Sequence, residues 1–138
     1  MAAPNGIMLD TGPLVGFLDA SDQWHTWSVA RFGELPGPMV TCEAVVSEAV
    51  FLLGGGAAAA RIFEMIELGA LEVVPLLPKE AGRIRAFITR YDGRAQLADA
   101  CLVRLSELHP RCRVLTTDGR DFGVYRRNRN EPIPLIAP

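Results

Sequence analysis

Apolar and polar positions follow two alternating periods along this chain, and they predict strands interleaved with helices. Ile7, Met8 and Leu9 form a continuous apolar run, the mark of a strand covered on both faces of a parallel sheet, and the run stops at Asp10. Thr11, Gly12 and Pro13 end that strand, and Pro13 suits the first turn of a helix lined by Leu14, Val15, Phe17 and Leu18. Residues 21–32 place Trp24, Trp27, Val29 and Phe32 at rough helical spacing, with Ser21 or Asp22 as N-cap. After the break at Pro36, Gly37 and Pro38, residues 39–42 read as a second strand. Thr41 is expected to cap the helix 42–53, whose apolar residues surround one interior charge, Glu48.

Gly54, Gly55 and Gly56 close that helix without the Gly-Lys-Ser/Thr of a phosphate-binding loop. An amphipathic helix over 57–68 ends at Gly69, and a third strand covers 72–76. Residues 79–91 carry Ile84, Phe87, Ile88 and Tyr91 on one side, and Asp92-Gly93 marks a turn. The helix 95–108 buries Leu97, Ala98, Cys101, Leu102, Leu105 and Leu108. A fourth strand, 113–117, runs into Asp118. Pro132 and Pro134 confine the segment 133–136 to a sheet edge. The alternation predicts a single α/β domain over residues 1–138, built on a mostly parallel sheet.

Composition narrows the chemistry. With 138 residues, 49% apolar and 22% charged, the chain can bury a core without staples and is not disordered. A net charge of −2 excludes the broad basic surface that binds nucleic acid by charge alone, so a polyanion partner requires a local basic patch or a metal. Cys42, Cys101 and Cys112 lack metal-ligand spacing and read as buried reduced thiols. No stretch reads as a signal peptide or a membrane span, so a soluble, cytoplasmic protein without membrane contact is expected.

Asp10 and Asp118 both fall at the carboxyl ends of expected parallel strands, the rim where open α/β sheets bind ligands. Asp10 also fits a helix N-cap, and both readings stand at this point. Two helical acids, Glu48 and Asp99, have mostly apolar residues three and four positions away, where an isolated carboxylate is costly unless paired or holding a metal. Neither His25 nor His109 sits in a ligand motif. Carboxylates without cysteine or histidine partners suit a hard cation that keeps several waters, Mg²⁺ or Mn²⁺. Such an ion turns an acidic pocket into one that attracts phosphate and lowers the pKa of a bound water, the chemistry of phosphodiester hydrolysis.

Four segments in this order, LDTGPLVGFLD at the start, SEAVFLL with Glu48, LADACLV with Asp99 and VLTTDGRDF with Asp118, give the chain its likeness to known proteins. It resembles the PIN-domain nucleases, in particular the VapC-type toxins of toxin–antitoxin pairs. The resemblance implies a three-layer α/β/α sandwich and a metal-dependent endoribonuclease, with Asp10, Glu48, Asp99 and Asp118 as catalytic and metal-site residues and Mg²⁺ or Mn²⁺ as cofactor. It further implies RNA as substrate, a cognate antitoxin as partner and a homodimer. Asp121 lies beside Asp118 and shares its candidacy. Arg83, Arg85, Arg90, Arg126, Arg127 and Arg129 could supply a phosphate-binding rim. Trp24, Trp27, Phe32 and the helix around 62–68 are the expected self-association surface. The competing readings are a non-catalytic PIN-like interaction module and a phosphoacceptor receiver domain. The latter requires a lysine at the end of a late strand, where Lys79 does not lie.

Overall fold

The computed structural model describes residues 6–138. Its centre is a five-stranded sheet in the order β3-β2-β1-β4-β7, with every neighbouring pair parallel. The strands are β1 (Ile7–Leu9), β2 (Met39–Cys42), β3 (Leu71–Val74), β4 (Arg113–Leu115) and β7 (Leu135–Ile136). Helices α1 (Thr11–Leu18), α2 (His25–Glu34), α3 (Glu43–Leu53), α4 (Gly56–Glu67), α5 (Leu77–Arg90) and α6 (Leu97–Leu108) cover its faces as a three-layer sandwich. A short helix, α7 (Gly119–Val124), follows β4, and an antiparallel pair, β5 (Arg126–Arg127) with β6 (Glu131–Pro132), precedes β7.

The apolar run of β1 is central because it has neighbours on both sides and helices on both faces. Ile7, Met8 and Leu9 are all fully buried. From β1 the chain moves out through β2 to β3, then returns to β4 on the other side of β1. That reversal splits the connections at the carboxyl ends of β1 and β4 and leaves a crevice there. The two strands are in register, Leu9 opposite Leu115, and the Asp10 amide donates to the Leu115 carbonyl at 3.0 Å.

Local expectations shift where side chains find better partners. Thr41 does not cap α3: its hydroxyl is buried and donates to the Leu9 carbonyl at 2.7 Å, tying β2 to β1, and Cys42 takes the cap position. The second helix begins at His25 rather than near Ser21, because Asp19 and Asp22 bend the preceding chain by accepting from the Ser21 and Trp24 amides. Trp27 and Phe32 pack against the core, and Phe32 stacks on Phe17 at 4.2 Å. Among the described residues the four most exposed large apolar side chains are Phe51 and Leu52 on α3 and Phe63 and Leu68 on and just beyond α4, so of the expected self-association surface the stretch 62–68 is the part that presents apolar side chains to solvent. Cys42, Cys101 and Cys112 are free and buried. Among the described residues no helix is long and apolar enough to cross a membrane.

Candidate functional site

A cleft of about 370 Å³ opens at the carboxyl ends of β1 and β4, and five carboxylates line it: Asp10, Glu48, Asp99, Asp118 and Asp121. Four elements deliver them. Asp10 follows β1, Glu48 sits on the second turn of α3, Asp99 on the first turn of α6, and Asp118 with Asp121 at the start of α7. The strand reversal brings Asp10 and Asp118 to one rim, and α3 and α6 complete the wall. Gly12 belongs to the lining for a steric reason. A Cβ there would run into the Thr117 side chain, so glycine lets α1 approach the strand end this closely without displacing that hydroxyl.

Asp10 is both cap and cleft residue. One carboxylate oxygen accepts from the Thr11 amide at 2.8 Å, at the start of α1. The other accepts from the Thr116 hydroxyl at 2.7 Å. Thr116, itself fully buried, also accepts from the Asp118 amide at 2.9 Å, so one hydroxyl fixes Asp10 relative to Asp118. Burial outweighs these bonds and pushes the Asp10 carboxyl up to about 7, with the negative charges of Asp99 and Glu48 adding to the rise.

Asp99 has a structural partner that apolar spacing did not reveal. It closes a capping box with Gln96, accepting from the Gln96 amide at 3.3 Å, and it accepts from the Tyr125 hydroxyl at 2.8 Å. Its carboxyl is raised, chiefly by burial. Tyr125 is fully buried, with Phe87, Tyr91 and Phe122 edge-on or tilted around its ring at 5.1 to 5.4 Å. Asp118 caps α7 by accepting from the Asp121 amide at 3.1 Å.

Glu48 departs from expectation in a different way. It is exposed, not buried, since its neighbours Phe51 and Leu52 are themselves 82% and 57% exposed. The desolvation argument for it therefore fails, and its place in the cleft wall is what distinguishes it. Glu43, also exposed and in the first turn of α3, lies outside this cleft.

Arg94 is the one basic side chain among the lining residues, and it pairs with Asp121 at 3.2 Å. The expected arginine rim is only partly available. Arg127 is 3% exposed and spends its guanidinium on the Ser106 and Pro110 carbonyls and Glu131, bracing β5 against the end of α6. Arg126 donates to the Gly123 and Tyr125 carbonyls. Thr116, Tyr125 and Arg94 thus escaped the sequence reading. Thr116 and Thr117, in the TTD preceding Asp118, were the one local signal that hydroxyls flank the acid.

An all-oxygen donor set with a single opposing cation fits a hard divalent ion. Among the described residues no three acidic, cysteine or histidine side chains converge closely enough to hold an ion outright.

Solved structures with the same fold come from toxin–antitoxin systems. One is VapC20 of Mycobacterium tuberculosis, described as a sarcin–ricin loop cleaving toxin, at 20% identity and TM-score 0.74 over 84% of this chain and 92% of that one. Another is a toxin–antitoxin complex from Klebsiella pneumoniae, at 18% identity and TM-score 0.64 over 86% and 92%. A third is DNA-bound VapBC from Salmonella typhimurium, at 17% identity and TM-score 0.57 over 96% and 98%. Comparison with curated proteins gives no match. The PIN domain family model matches residues 7–128, nearly the whole chain, and on that extent the protein belongs to the PIN domain family.

Proposed function

We propose that residues 1–138 act as one PIN-like domain whose acid cleft hydrolyses RNA phosphodiester bonds with Mg²⁺ or Mn²⁺, as the toxin of a toxin–antitoxin pair in the cytoplasm. The observation that carries this reading is the convergence of Asp10, Glu48, Asp99 and Asp118 from four separate elements on one cleft at the strand reversal. A divalent ion held there by a subset of these acids would supply a Lewis acid that lowers the pKa of water and offsets charge on the scissile phosphate. The chain's own task is placement. Thr116 holds Asp10 and Asp118 in fixed relation, Tyr125 and the Gln96 amide hold Asp99, and Glu48 faces them across the cleft from α3. The exposed Phe51, Leu52, Phe63 and Leu68 offer apolar surface for an antitoxin or a second copy of the chain. Toxin–antitoxin complexes among the structural neighbours support the former.

Purified protein incubated with single-stranded RNA is expected to cleave it only when Mg²⁺ or Mn²⁺ is present, leaving ends without a 2′,3′-cyclic phosphate. Cyclic ends would mean that the 2′-hydroxyl rather than water attacks, cleavage that persists in chelator would mean that the reaction needs no divalent ion, and either result would overturn the reading.

Tyr125→Phe tests the placement argument. Loss of the 2.8 Å bond to Asp99 is expected to lower stability by roughly 1.5 to 3 kcal/mol, the range for a hydrogen bond to a charged group. It should also lower kcat by about tenfold with little change in KM, as when a partner that orients a ligand is removed. Denaturant titration and steady-state kinetics measure both; a variant with wild-type kcat would show that Asp99 needs no such support.

A further inference from the structure

Five carboxylates line the cleft against one cation, so an entering RNA strand meets a wall of its own sign. Even a divalent ion leaves that wall negative, and a phosphate flanking the scissile one needs a partner. We propose that Arg94 is that partner: a substrate-binding residue whose guanidinium exchanges Asp121 for a phosphate of the RNA strand. The proposal rests on the ribonuclease reading and adds to it the residue that receives the strand.

Three features favour Arg94. Its backbone is held in place by its amide, which donates to the Tyr91 carbonyl at 3.0 Å. Its carbonyl lies 3.5 Å from the Tyr125 hydroxyl that donates to Asp99, which places the base of the Arg94 side chain beside the acid wall. Its present partner is weakly held. A single nitrogen meets Asp121 at 3.2 Å, both side chains are partly exposed (44% and 31%), and such pairs contribute little to stability. A guanidinium carries five donors in a planar fork that suits two phosphate oxygens at once. The other arginines near this end are committed elsewhere: Arg126 and Arg127 to carbonyls, and Arg104 to Glu80 and Glu107. Arg120 lies on α7 outside the cleft lining but near enough for Asp121 to feel its charge, which makes it the control for charge without a place in the cleft.

The test is the kinetics of RNA cleavage by the full chain with Mg²⁺ across a salt series, for wild type, Arg94→Met, Arg94→Lys and Arg120→Met, with circular dichroism as the folding control. Arg94→Met is expected to raise KM about tenfold while kcat stays within about twofold, since the lost contact is a charge-assisted hydrogen bond made in the bound strand as well as in the transition state. The slope of log(1/KM) against log salt should shallow by about 0.7, the value for one phosphate contact on a single strand. Arg94→Lys should recover the slope and part of the affinity, because it keeps the charge and loses the fork. Folded Arg94→Met with wild-type KM and salt slope, or an equal effect from Arg120→Met, would overturn the proposal and leave the ribonuclease reading standing. Wild type that neither binds nor cleaves RNA would overturn both.

Discussion

Chelator-treated protein is expected to lose stability as pH rises from about 4 to about 8, and Asp10→Asn is expected to remove most of that loss. The Asp10 carboxyl is 7% exposed, and burial lifts it from its ordinary 3.8 to about 7. Below about pH 4 it is protonated in both the folded and the unfolded chain, so nothing is lost. Between there and about 7 the unfolded chain gives up the proton while the folded chain keeps it, and stability falls with rising pH until the folded group also ionises. Three units of displacement correspond to roughly 4 kcal/mol. Asp99, raised for the same main reason, adds loss in the same direction. Mg²⁺ at pH 8 should return part of the stability, because it favours the ionised carboxylates of the folded state alone. Urea unfolding at pH 5 and pH 8, in chelator and in Mg²⁺, measures each term. A pH slope in Asp10→Asn equal to that of wild type would remove Asp10 as its source, and an unchanged response to Mg²⁺ in that variant would remove it from the ion's neighbourhood.

How much of this was legible in the sequence depended on whether the signal was local. The unbroken apolar run of β1, the prolines near β7 and the placement of Asp10 and Asp118 at strand ends needed only neighbouring residues, and the sheet forms as those patterns imply. Glu48 was singled out by its apolar neighbours on the premise of burial. The helix turns Phe51 and Leu52 outward while Val45 stays buried, so the premise of burial does not hold for Glu48 itself. Asp99 shows the converse, an acid with a capping partner three residues earlier that spacing to apolar residues concealed. Thr41 reads as a cap because threonine before a helix often is one, but a long-range bond to Leu9 wins its hydroxyl. Tyr125 and Arg94 were not found because their roles depend on contacts 26 and 27 residues away in sequence, to Asp99 and Asp121. Arg127 reads as a surface residue because nothing in its tripeptide context shows that Glu131 and two carbonyls enclose it.

Two glutamates on one helix separate catalysis from helix electrostatics. Glu43 occupies the first turn of α3, where the helix dipole favours a negative side chain, and it stands outside the acid cleft. Glu48, little more than one turn later, lines the cleft and lies close enough to Asp10 and Asp99 to help raise their carboxyls. The comparison is cleavage of single-stranded RNA with Mg²⁺ or Mn²⁺ by wild type, Glu48→Gln and Glu43→Gln, with circular dichroism as the folding control. Glu48→Gln should lose roughly 100-fold or more in kcat while remaining folded, the scale of removing one preorganised electrostatic contact to the transition state. Glu43→Gln should keep wild-type kcat and lose only about 0.3 to 1 kcal/mol of stability. Glu48→Gln cleaving RNA at the wild-type rate, with Glu43→Gln folded but inactive, would contradict the assignment of hydrolysis to the acid cleft.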